Sequence, residues 1–190
     1  MRKALIALVG VAGLLGPAAG GEPLVRLHTS YYYIDGTSAA VLAAQLDQKG
    51  PLGSDGHRHP GRTRWDIQWK LQSEQQGTSC TMQDAAVAVG IAQTLPRWRG
   101  ESQGAATLKA RWSTFNSALQ RHLERHKQNA MKAASEIEAA LRSVKPASNC
   151  EDLEAGANAA AQAIVARYQD LDEQYDRRTG YGRSEGASLL

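Results

Sequence analysis

Residues 108–130 read LKARWSTFNSALQRHLERHKQNA, and their spacing decides the fold. Leu108, Trp112, Phe115, Leu119, His122, His126 and Ala130 are three or four positions apart, and Ala133, Ile137 and Leu141 continue the series. That period puts them all on one face of a single helix more than nine turns long, which Pro146 ends. Residues four apart on a helix differ by about 40° in direction, so His122 and His126 stack on that face and can both reach one metal ion. The bland account is a pair of partly buried, satisfied imidazoles. The stripe is otherwise apolar, and an imidazole buried there without a partner is costly.

Downstream, Ser148 and Glu151 have capping-box spacing for a second helix with the stripe Leu153, Ala157, Ile164, Tyr168, Leu171, Tyr175. The glycine-rich tail from Thr179 reads as a loop. Upstream, the pattern is strand-like. Val25 to Ile34 is rich in strand formers and stops at Asp35-Gly36, and a short helix is expected over Ala39 to Gln48. Residues 51–62, with His57 and His59 among glycines, arginine and prolines, read as a surface loop. Trp65, Ile67, Trp69 and Leu71 alternate with polar residues, which marks a strand buried on one face. A turn at Gln76-Gly77 leads to a returning strand, Ser79 to about Ala92. Its apolar phase shifts from Cys80 and Met82 to Val87, Val89 and Ile91, so a bulge is expected near Asp84. The expected fold is α+β: a small antiparallel sheet of about three strands packed against a long HxxxH-bearing helix and a second, C-terminal helix. Residues 21–190 read as a single domain. The four tryptophans read as core and sheet cover, and Tyr31 to Tyr33 as a candidate sheet-edge groove for an extended peptide.

Arg2 and Lys3, the apolar run Ala4 to Leu15 and the small residues that follow form the layout of a signal peptide over 1–20. Twelve apolar residues fall short of the roughly twenty that span a bilayer, so a secreted or periplasmic chain is expected, with no membrane contact after cleavage; an uncleaved anchor is the other reading. Without the leader, 20 basic residues face 19 acidic ones, a net charge of +1 that offers no footprint for nucleic acid. In an oxidising compartment the two cysteines, Cys80 and Cys150, read most simply as one bridge.

Taken in order, the residues Tyr31-Tyr32-Tyr33-Ile34-x-Gly36, Gly61-x-Thr63-x-Trp65-x-Ile67-x-Trp69, Cys80, Leu95-Pro96-x-Trp98, Trp112-x-x-Phe115-x-x-x-Leu119-x-x-His122-x-x-x-His126, Cys150 and Tyr175-Asp176-x-x-Thr179-x-x-Gly182-x-x-x-Gly186-Ala187 resemble a bacterial family of predicted secreted zinc-dependent proteases, a domain otherwise of unknown function. The resemblance spans nearly the whole mature chain. It implies zinc as cofactor, His122 and His126 as ligands, a Cys80–Cys150 disulfide and a peptide or protein substrate.

Two departures matter. The family helix reads HExxH, whereas Leu123 stands at the glutamate position here and the nearby acid is Glu124. With the histidines near 0° and 40°, position 123 lies near 100° and position 124 near 200°, so Glu124 is expected to face away from the metal. In the tail the family pattern carries a third histidine, and here that position is Tyr181, a candidate third ligand of lesser aptitude for zinc at neutral pH. Asp176, Glu185 and the loop pair His57 and His59 are further donors. Three functions follow as alternatives: a zinc metallopeptidase with reduced or lost activity, a non-catalytic periplasmic binding or scaffold protein on the same fold, or a helical interaction module without a site.

Overall fold

The computed structural model describes residues 22–190, so the leader expected over 1–20 lies outside the described residues. Strand β1 (Leu24–Ile34) is followed by helix α1 (Ala39–Lys49), the long strands β2 (Arg62–Gln76) and β3 (Ser79–Trp98), and the helices α2 (Ala106–Arg142) and α3 (Cys150–Thr179). The α+β architecture is the expected one, and the sheet is mixed rather than wholly antiparallel. Its order is β1-β3-β2. β2 and β3 form the expected hairpin, while β1 runs parallel to β3. The reason lies in the connection: α1 and the 51–61 loop cross from the end of β1 at Ile34, opposite Trp98, to the start of β2 at Arg62, opposite Thr94. β2 therefore runs down from the same end of the sheet, and β3 returns between the two strands, antiparallel to β2 and parallel to β1.

On β3 the ladder shifts between Gln72↔Asp84 and Ser73↔Met82, which leaves Gln83 unpaired beside the expected position. This bulge lets Cys80 and the set Ala85, Val87, Val89 and Ile91 all point inward despite their opposite parity. β3 also continues past Ala92 to Trp98. Pro96 sits in that extension opposite Tyr32, beyond Thr94, the last residue β2 pairs with, where a missing N–H is tolerated.

Helix α2 buries its stripe from Leu108 to Leu141, both histidines included. Its N-terminal half packs with Ile34, Leu42, Leu46 and Trp98; its C-terminal half lies against Val87, Val89, Ile91 and the first turns of α3. Asn149, not Ser148, caps α3, its side chain accepting from the Asp152 N–H at 2.8 Å; Gly180 closes the helix in the left-handed region. Along α3 the expected stripe holds at Leu153 and Ala157 but not at Leu171, which is 42% exposed. Polar contacts stitch this helix to β2: the indole N–H groups of Trp65 and Trp69 donate to Asp172 and Asn158, each at 2.7 Å.

The Cys80–Cys150 disulfide ties the start of β3 to the start of α3 across a separation of 70 residues. Backbone hydrogen bonds between Cys80 and Ala147 run beside it. On the chain-entropy model a loop of that size stabilises the fold by about 4 kcal/mol. Reduction, or Cys80→Ala with Cys150→Ala, is expected to lower Tm by about 8–16 °C. Thermal unfolding followed by circular dichroism with and without reductant checks this, and an unchanged Tm would refute it.

Candidate metal centre

His122 and His126 come from the middle of α2, and α3 runs antiparallel beside it with Asp172 and Asp176 at the same spacing of four. The His122 Nε2 lies 3.0 Å from Asp176 Oδ1, and the His126 Nε2 lies 2.9 Å from the same oxygen. The two Nε2 atoms are 3.3 Å apart. Roughly that separation joins two ligands of a tetrahedral zinc with bonds of about 2.0 Å. Ligand atoms of His122, His126 and Asp176 all fall within 4.8 Å of one another, and they form the candidate metal group among the described residues.

Each imidazole is also held from behind. The Nδ1 of His126 meets Asp172 Oδ1 at 3.0 Å, and the Nδ1 of His122 meets Glu185 Oε2 at 3.1 Å. Asp172 is fixed in turn by the Trp65 indole and by the Asn129 amide at 2.7 Å, and Glu185 accepts from the Tyr175 hydroxyl at 2.8 Å. Carboxylates on Nδ1 select the tautomer that leaves both Nε2 lone pairs facing inward, the usual arrangement behind metal-ligating histidines. Two lone pairs and a carboxylate oxygen then converge on one point. They repel unless a cation or a proton sits between them.

In the metal-free chain a proton does so. Burial alone would depress His126, but the carboxylates of Asp172 and Asp176 outweigh it and push its pKa up to about 9. For Asp176 burial acts upward, yet hydrogen bonds from both histidines hold its carboxyl down to about 2.

The site opens on a cleft of ≈ 410 Å³ whose lining includes both histidines, Asp172, Asp176, Leu123, His59, Tyr181 and residues Arg62 to Trp65 of β2. Tyr181 therefore reaches the cleft, but its hydroxyl is hydrogen-bonded to Asp55 and its ring stacks on His59 with centroids 3.5 Å apart. Asp176 occupies the third place in the cluster. Glu124 faces away as the helical angle requires, paired with Lys127 at 3.1 Å, and Leu123 is buried at 2% exposure. His59 belongs to the cleft rather than to an outer surface, while Tyr31 to Tyr33 lie on β1, across the sheet from it. The sequence reading missed Asp172, Asp55 and the polar role of Trp65. The repeat of a four-residue spacing in Asp172-x-x-x-Asp176 was the signal for the first.

The family model described as "Bacterial protein of unknown function (DUF922)" matches residues 29–182. The chain belongs to the DUF922 family. The matched span takes in every residue of the candidate site described above except Glu185. No curated protein and no solved structure is significantly similar to the chain.

The raised His126 pKa gives metal-free protein a stability contribution that is full below pH 6.5 and lost as pH rises through about 9, whereas that of Asp176 is full above pH 3.8 and lost as pH falls through about 2. Chelator-treated protein should therefore lose Tm from pH 6.5 to 9, and a Tm that climbs across that range would contradict the assignment. For zinc binding measured by calorimetry, Asp176→Ala should weaken affinity by about 100-fold or more, and Tyr181→Phe by less than about threefold. The reverse order would make Tyr181 rather than Asp176 the third ligand.

Proposed function

We propose that this DUF922 protein is an exported zinc-binding protein with a metallopeptidase-type cleft, and that its peptide hydrolysis is much weaker than that of a site with a helix-borne glutamate. The observation that carries this is the convergence of two Nδ1-anchored imidazoles and the Asp176 carboxylate on one point in an open cleft. Asp172, Asp176 and Glu185 bring three negative charges around two imidazoles, which a divalent cation offsets. The donor set, two nitrogens and one carboxylate, is one that suits zinc with a fourth position left toward the cleft. Zinc held there would act as a Lewis acid on a carbonyl oxygen and lower the pKa of a water.

His122, His126 and Asp176 would hold the ion, and Asp172 and Glu185 would orient the imidazoles. Leu123 supplies no base at the position where the resemblance places one. Loss of a general base typically lowers rate by about 10²–10⁴-fold. A peptide as ligand is supported by β2, which pairs only with β3 among the described residues, whose residues Arg62 to Trp65 border the cleft and whose outer edge can pair with an extended chain. The disulfide fits export to an oxidising compartment, and among the described residues no helix is long and apolar enough to cross a membrane. The burial of Leu123 at the base position favours a second reading, a non-catalytic binding protein on the same zinc site.

Protein purified without chelator should carry about one zinc per chain, and the His122→Ala, His126→Ala double variant essentially none. Elemental analysis decides it. Absence of metal from both proteins would sink the proposal.

A further inference from the structure

Outside the metal cluster, the cleft holds a second group of polar side chains that comes from two distant segments. The 51–61 loop contributes Asp55 and His59. The His59 Nε2 lies 3.0 and 3.1 Å from the two oxygens of Asp55. Burial pushes that carboxyl up, but hydrogen bonds from His59, from the His57 backbone N–H at 3.0 Å and from the Tyr181 hydroxyl together outweigh it and hold the pKa well below the usual carboxylate range. The pair is tightly seated. A Cβ on Gly53 would lie 2.5 Å from Asp55 Oδ1 and 2.8 Å from His59 Nε2, so only glycine leaves room for it.

Tyr181 is placed by a different device. Gly180, Tyr181 and Gly182 all have positive φ, and Tyr181 at +57° is the one non-glycine residue in that region among the described residues. A side chain there is strained, and such strain gathers at functional sites. It delivers the phenol to Asp55 and its ring to His59. Gly182 meanwhile packs on the metal-site imidazole, since a Cβ there would lie 3.0 Å from His122 Cγ. The strained segment thus touches the metal group on one side and His59 on the other.

We infer that His59, oriented by Asp55 and backed by Tyr181, is the proton-transfer residue of this cleft and carries the hydrolysis that Leu123 cannot support. This rests on the zinc-hydrolase reading above. Asp55 on Nε2 fixes the tautomer with the proton there and leaves Nδ1 as an acceptor. Nδ1 has no hydrogen-bond partner among the described residues, and since no fully buried side-chain nitrogen there lacks one, this atom keeps some exposure on a residue that lines the cleft. A carboxylate behind one ring nitrogen and a free second nitrogen is the division of roles that lets an imidazole act as base and then acid. In the forward step the O–H bond of an attacking water breaks, its proton passes to His59 Nδ1, and its oxygen bonds to the peptide carbonyl carbon. When the C–N bond breaks, that proton goes from Nδ1 to the leaving nitrogen. Nothing is oxidised or reduced.

The test uses the zinc-loaded mature chain and a pool of quenched fluorescent peptides, with kcat/KM, zinc content and Tm measured for each variant. His59→Gln should keep stoichiometric zinc and lower kcat/KM by about 100-fold or more. The limb of the pH profile that reports the base should vanish with it. Asp55→Asn, which removes the orienting charge but not the shape, should lower kcat with little change in KM. Adding Leu123→Glu to His59→Gln should restore activity, because a carboxylate then stands where the helix can present a base. Folded, zinc-loaded His59→Gln with kcat/KM within threefold of the parent overturns the inference. So does a zinc-loaded parent no more active than the His122→Ala, His126→Ala variant, a result that leaves the metal site standing; a parent without zinc removes the metal reading itself.

Discussion

Two imidazoles buried in the middle of a 37-residue helix cannot be left without partners, and that requirement governs how the two long helices meet. An unpaired buried polar group costs about 1–3 kcal/mol, a large fraction of a domain's net stability. Asp172 and Asp176 meet the need from α3, at the spacing that matches His122 and His126 on the facing helix. The match holds only when α3 lies antiparallel to α2 in one register. Register, satisfaction of the imidazoles and formation of the site are therefore the same event.

The same contact explains why the rest of the molecule is arranged around it. β2 crosses beneath α3 and anchors it through Trp65 and Trp69, and the first of these indoles holds the carboxylate that orients His126. The disulfide pins the other end of α3 to β3. The tail then turns through Gly180, Tyr181 and Gly182 to bring Glu185 behind His122. Each imidazole has a carboxylate at its back, and the two free nitrogens face a third. A proton satisfies that arrangement in the metal-free chain, and the same three groups could hold a metal ion in its place.

The bulge at Gln83 and the face of α2 were legible because both follow from periodicity, a property of local sequence. The Leu171 position was not. A period of 3.6 residues makes it a stripe residue, yet the helix turns its aspartates inward there because α2 presents histidines rather than aliphatic side chains at that level. Local hydrophobic pattern gave way to a polar demand set by another element. The parallel placement of β1 was likewise invisible, since it depends on β3 returning between β1 and β2 rather than on anything in the strand itself.

By itself the sequence determined the long helix, its histidine pair, the facing-away of Glu124 and the hairpin, since each depends only on spacing along one segment. Tertiary structure alone decided what the histidines face. It brought Asp176 to the third position, engaged Tyr181 with Asp55 and His59, and drew the 51–61 loop into the cleft. The partners brought together, from His126 with Asp176 to Asp55 with Tyr181, lie 50 to 126 positions apart in the chain. No local pattern relates them, because their proximity arises only when the sheet and both long helices close on one another.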